Sequence, residues 1–206
     1  MCLFIETICY EQGRFQRIES HNDRFNRTRQ QFFGIQTPVQ LELLLSIPLH
    51  LKDKTVKCTV TYGNDIVCID YSLYQIRPIN SLQMVVDDTI DYAFKYADRA
   101  KLNSLSNLRN QSDDILIIKN GLITDTTYAN IVFKKEGKWY SPQNPLLKGT
   151  RIDRYFHEGR VAPALLPPSD LPLFSEARIV NAMISIGNSP VIPIENIKDF
   201  FRDISK

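Results

Sequence analysis

The sequence lacks the features that mark several common classes of protein. Its four cysteines, Cys2, Cys9, Cys58 and Cys68, form no CxxC pair and have no histidine cluster near them. A metal site is therefore not expected, and free thiols in a reducing compartment are. No apolar run approaches the length needed to span a bilayer. The apolar start, Met1 to Tyr10, is broken by Glu6 and has neither a cationic beginning nor a small-residue cleavage site. It reads as part of a fold, and a cytoplasmic protein is expected. Charge of one sign is missing too: the formal net charge is +2 over 206 residues, so there is no global field for nucleic acid or a membrane. Internal repeats and low-complexity segments are absent. What remains is ordinary globular composition, 43% hydrophobic and 23% charged, enough for one large domain or two small ones.

Phe4, Ile8 and Tyr10 alternate as on a strand. Glu11-Gln12-Gly13 reads as a turn and Phe15 to Ile18 as the return. Ser20 is placed to cap a helix from about His21 to Phe33, stopped by Gly34. Leu41 to Ser46 forms a short helical stretch. Two strands, 55–62 and 66–76, flank a turn at Gly63-Asn64-Asp65. Ile79 to Val86 carries on as a strand, and a domain boundary is expected near Pro78, giving a small domain over 1–78 and a larger one over 79–206. In the second half, helices are expected over 96–108 and 151–157. Strands are expected at 115–118, 122–124, 131–134, 139–140, 177–186 and 191–194, with a short helix from Asn196. Mixed strands and helices without regular alternation indicate α+β.

Four local patterns could carry chemistry. His21-Asn22-Asp23-Arg24, followed by Arg27 and Arg29, offers guanidinium forks suited to phosphate; the plainer reading is a solvated arginine-rich helix face. Lys95-Tyr96-Ala97-Asp98-Arg99 offers an amine that becomes nucleophilic in a low-dielectric pocket, although most lysines are solvated and Lys101 is a rival. Asn120-Gly121-Leu122-Ile123-Thr124-Asp125-Thr126-Thr127-Tyr128-Ala129-Asn130 is a turn, a strand, an acid, hydroxyls and an asparagine. A buried carboxylate there would keep a pyridine nitrogen protonated, and a tight hydroxyl-rich turn could bind phosphate. The plainer reading is an ordinary threonine-rich turn. Lys148-Gly149-Thr150-Arg151 opens a helix and so forms an N-terminal anion site, or a helix start with no ligand.

Taken together, in this order and spacing, these segments resemble the class IV aminotransferases, the fold-type IV pyridoxal phosphate enzymes. The family includes branched-chain and D-amino-acid aminotransferases and aminodeoxychorismate lyases. Leu3-Phe4-Ile5-Glu6-Thr7 is similar to the family's Phe-Glu-Thr segment. His21 to Arg24 resembles its His-x-x-Arg, whose arginine contacts the cofactor phosphate. Lys95 to Arg99 resembles the lyase-type Lys-x-x-Asn-Arg, whose lysine forms the Schiff base. Gly121 to Val132 is similar to Gly-x-x-Thr-Glu-x-x-x-x-Asn-hydrophobic, the most specific match. Leu147 to Arg151 resembles the phosphate loop Leu-x-Gly-x-Thr-Arg. Asn181-Ala182-Met183 resembles the Asn-Ala-Leu of lyase members. The chain departs from the pattern in three ways: Asp125 stands for Glu, the phosphate loop lacks one residue between Gly149 and Thr150, and the strands that usually precede Phe-Glu-Thr are missing.

The resemblance implies a two-domain, N-terminally shortened fold-type IV architecture, pyridoxal 5'-phosphate as cofactor, a small amino compound as substrate, and a homodimer. It implies Lys95 as the catalytic lysine rather than Lys101, since the family's lysine stands slightly over thirty residues before its acid. It implies Asp125 at the pyridine nitrogen, with Arg24, Thr126, Thr127, Thr150, Asn181 and Ala182 around the phosphate. The segments around Lys95 and Asn181 favour the lyase that converts 4-amino-4-deoxychorismate to 4-aminobenzoate and pyruvate. A transaminase, or a family member that has lost its activity, remains the alternative. A different class of reading takes the arginine-rich helix, with Phe25 interleaved, as a nucleic-acid surface.

Overall fold

The chain leaves its first strand with a tight turn, Gln12 and Gly13 both at positive φ, and this returns it along its own edge. The computed structural model describes residues 2–199. It contains thirteen strands: β1 (Phe4–Glu11), β2 (Arg14–Phe15), β3 (Val56–Tyr62), β4 (Ile66–Leu73), β5 (Leu82–Val86), β6 (Asp114–Lys119), β7 (Leu122–Ile123), β8 (Asn130–Lys135), β9 (Lys138–Pro142), β10 (Ala162–Ala164), β11 (Glu176–Val180), β12 (Ile192–Pro193) and β13 (Ile197–Lys198). The α-helices are α1 (Ile18–Phe33), α2 (Ala100–Ser106) and α3 (Thr150–His157). The chain divides into two units. The first runs to Gln75 and takes back Phe94–Asp98; the second comprises Ile76–Ala93 and the chain from Arg99 onward.

The first unit is one antiparallel sheet, order β2-β1-β3-β4, with α1 on it. Register places Phe4 opposite Tyr62, Glu6 opposite Val60, Ile8 opposite Cys58 and Tyr10 opposite Val56. All eight are buried, so the period-two alternation of both strands points one face at a shared core. α1 buries His21, Arg24, Phe25 and Thr28, the spacing of one helix face. It ends at Gly34 in the left-handed conformation at φ 69°, which glycine adopts without a Cβ penalty. The helix starts at Ile18 rather than after Ser20, because Arg17 takes up the left-handed turn at φ 52°.

Residues 96–98, expected to open a helix in the larger domain, are not helical and, with Phe94 and Lys95, belong to the first unit. Ile5 N donates to the Lys95 carbonyl at 2.9 Å, and Ala97 N to the Leu3 carbonyl at 2.8 Å. Phe94 and Tyr96 join Phe4 and Phe32 in a ring cluster with centroids 4.6–6.4 Å apart. These contacts outweigh the local helix pattern, so α2 begins only at Ala100.

The second unit holds two sheets, β13-β5-β6-β7 and β10-β9-β8-β11-β12. β6 runs parallel to β5, and its middle residues, Ile115 to Ile117, are fully buried, as strands covered on both faces are. Asn120 and Gly121, both at positive φ, close the β6–β7 hairpin. The chain passes from the first of these sheets to the second through the segment 124–129. The tail beyond Asn196, expected as a helix, is the short strand β13 as far as the described residues go. β11 stops at Val180, because Asn181 turns the chain.

Candidate functional site

In the first unit, the inward-facing position of Glu6 puts a carboxylate in an apolar layer. Such a charge persists only with partners. Arg24 supplies two: its Nε donates to Oε1 and its Nη2 to Oε2, both at 2.7 Å. His21 Nδ1 lies 2.6 Å from Oε2; because an ionised carboxylate only accepts, the proton is assigned to Nδ1. Burial opposes ionisation of Glu6, but the Arg24 charge and the hydrogen bonds from Arg24 and His21 together hold its pKa down at about 2. His21 is pushed below its ordinary value, chiefly by burial. Lys95 is half-buried and fixed through its backbone to Ile5, next to Glu6 in sequence. Of the three arginines on α1, Arg24 faces inward, Arg29 lies 5.1 Å over the Phe25 ring, and Arg27 is exposed. The rival Lys101 has its Nζ 2.7 Å from Asp87 Oδ2, in the second unit.

In the second unit, three loops converge. The first carries Asp125, which ends the β6–β7 hairpin and is bridged to Asn130 at the start of β8. Its Oδ1 accepts from Asn130 Nδ2 at 2.8 Å and its Oδ2 from Leu147 N at 3.0 Å. Burial pushes the carboxyl up to about 7, against the backbone of Leu147, the Asn130 side chain and the backbone of Leu146, which favour the ion. The second loop leads to α3, where Thr150 is buried at the first position behind Gly149. Next to it, Arg151 donates from Nε to the Asn181 carbonyl at 2.7 Å and from Nη2 to the Ala182 carbonyl at 2.9 Å. This clamps the third loop, where Asn181 Oδ1 accepts from Met183 N and Ile184 N.

The structure thus gathers Asp125, Thr126, Thr127, Thr150, Asn181 and Ala182 into one set of linked loops, while Arg24 and Lys95 belong to the other unit. The donors of the two threonines are committed within the protein. Thr126 donates its amide and hydroxyl to the Ala129 carbonyl at 3.0 and 3.1 Å. The Thr127 hydroxyl lies 2.7 and 2.9 Å from the two oxygens of buried Asp114, which also accepts its amide. Arg99 Nη2 donates to the Thr127 carbonyl at 2.5 Å. Sequence reasoning gave no role to Glu6, Asp114, Asn130 or Arg151. For Glu6 a signal was present, a lone acid in the inward phase of an apolar strand; for Asp114 and Arg151 nothing in their neighbours marks the partner. Among the described residues, no group of three or more His, Cys, Asp or Glu could hold a metal ion, and no helix is long and apolar enough to cross a membrane.

A family model described as amino-transferase class IV matches residues 93–197. An uncharacterized protein of Haemophilus influenzae (strain ATCC 51907 / DSM 11121 / KW20 / Rd) is 34% identical over 180 residues, covering 86% of this chain and 96% of that protein. The crystal structure of a candidate 4-amino-4-deoxychorismate lyase from Haemophilus somnus 129PT superposes with a TM-score of 0.83 at 28% identity, over 89% of this chain and 97% of that one. A hypothetical aminotransferase from Mycobacterium tuberculosis, in its PLP-bound form, gives a TM-score of 0.73 at 13% identity, over 92% and 80% of the two chains. The donor set suits such a cofactor. Asp125 is a buried carboxyl held by neutral donors, and a cationic ring nitrogen would offset the cost of ionising it.

Proposed function

From a chain that belongs to the class IV aminotransferase family, and so is a pyridoxal-phosphate-dependent enzyme, we propose a lyase that converts 4-amino-4-deoxychorismate to 4-aminobenzoate and pyruvate. The observation that carries this reading is the pair of lyase-type segments around Lys95 and Asn181, the first of which bonds through Arg99 to the Thr127 carbonyl in the turn beside Asp125. The likeness to a candidate lyase of the same reaction adds to it.

When bound, the cofactor supplies an electron sink for the substrate amine. Lys95 provides the attachment amine and then moves protons as general base and acid. Asp125 stabilises a proton on the ring nitrogen. Thr150, at the N-terminus of α3, would hold the phosphate with the Ala182 backbone, and Arg24, oriented by Glu6, offers a guanidinium suited to phosphate. Thr126, Thr127 and Asn181 shape the loops that present these groups.

A lyase needs no second substrate. A transaminase must bind two carboxylate substrates in turn. Supplied with the amino compound alone, the protein should release pyruvate and 4-aminobenzoate over many turnovers with an unchanged cofactor spectrum. A reaction that stalls after one turnover and restarts with a 2-oxo acid overturns the lyase in favour of the transaminase. Borohydride reduction followed by peptide mapping should place the cofactor on Lys95. Its appearance on Lys101, or on neither lysine, overturns that assignment.

A further inference from the structure

Asn130 has no part in the chemistry above, yet it touches three things at once. Its Nδ2 lies 2.8 Å from Asp125 Oδ1 and 2.8 Å from the Leu147 carbonyl oxygen. Its Oδ1 lies against Gly149, where an added Cβ would overlap it far inside contact distance. Gly149 sits at φ −70° and ψ 148°, a conformation open to any residue. Glycine is needed there for room rather than for backbone freedom. Leu147 closes the circuit, donating its amide to Asp125 Oδ2. Both oxygens of a buried carboxylate are therefore held, and the holders belong to the loop that runs straight into Thr150 and α3.

A carboxylate fixed at both oxygens does not reorganise when a charged partner arrives, which is the setting in which an electrostatic contact is strongest. We propose that Asn130 is a positioning residue that locks Asp125 in register with the loop 147–150, and that residue 149 is glycine to admit it. This rests on the reading that Asp125 meets the ring nitrogen.

The test is a two-residue cycle on the cofactor-free protein, titrated with pyridoxal 5'-phosphate and followed by absorbance. Asn130→Ala should weaken binding about tenfold or more, since a hydrogen bond to a charged group is lost. Gly149→Ala should weaken it comparably by displacing Asn130. In the Asn130→Ala background, Gly149→Ala should add no more than about twofold, because the side chain it displaced is gone. Independent, multiplying losses overturn the proposal. A second readout is the nitrogen-15 shift of ring-labelled cofactor, which should move toward the unprotonated value in Asn130→Ala and in Asp125→Asn. If Asp125→Asn leaves the shift unchanged, the reading of Asp125 falls and the positioning role falls with it. If Asp125→Asn moves it and Asn130→Ala does not, only the positioning role falls. Should Asn130→Ala not fold, Asn130→Ser takes its place in both measurements, with the same expectations.

Discussion

A single inward-facing acid decides much about the first unit. Glu6 is ionised in the fold only because Arg24 and His21 meet it. Replacing it with glutamine leaves a buried guanidinium without its counter-charge and should cost about 3–5 kcal/mol of stability, measured by denaturant unfolding. The dependence on pH follows from the direction of the shift. A folded pKa of about 2 lies below the ordinary 4.5, so the ionised form stabilises the fold above pH 4.5, and that contribution is lost as pH falls from there toward 2. The shift corresponds to a contribution on the order of 3 kcal/mol. Glu6→Gln should therefore flatten the acid limb of the stability curve; a limb unchanged in the variant would show that Glu6 does not titrate as described. The alternation of β1 made the burial of position 6 legible in the sequence. Its partners were not, because Glu6 and Arg24 meet only when helix and sheet pack.

At the scale of elements, regular periodicity and turn residues were the legible part. The hairpins at Gln12-Gly13 and Asn120-Gly121, the stop of α1 at Gly34 and the start of α3 behind Gly149 all rest on local chemistry. Elements whose form depends on distant partners were not legible: 96–98 is not helical because this segment bonds to the start of the chain and to β1, and 197–198 form β13 because they pair with β5. The same dependence makes α3 more than a helix start. Arg151 reaches two successive carbonyls, at Asn181 and Ala182, and its planar fork suits two acceptors at once. Arg151→Ala should release that loop and weaken retention of pyridoxal 5'-phosphate by about tenfold, read by dialysis and absorbance. Arg151→Lys should recover little of the loss, since an ammonium lacks the fork; full recovery would show that charge alone holds the loop.

On the scale of the whole molecule, composition and residue patterning indicated α+β and a break in the chain near Pro78. The observed break lies between Gln75 and Ile76, with 94–98 returned to the first unit. That return was not legible, since it depends on where Phe94 and Tyr96 find their ring partners. The edge strand β4 leaves Val67 and Leu73 exposed, and edges of this kind call for cover. We expect a homodimer, and light scattering that shows only monomer at micromolar concentration would exclude it.

The looped path of the backbone also bears on synthesis. The chain changes unit after Gln75, again after Ala93 and again after Asp98. A ribosome that has delivered every residue of β1 to β4 has therefore not yet delivered a finished first unit. Leu3 and Ile5 wait for the backbone of 95–97, and Phe4 and Phe32 wait for the rings of Phe94 and Tyr96. During that interval the nascent chain presents apolar rings and unpaired strand groups of the kind that chaperones meet. Nor can the first unit be excised as a contiguous fragment. A gene truncated after Gln75 would encode all four of its strands and omit the segment around Lys95 that closes it.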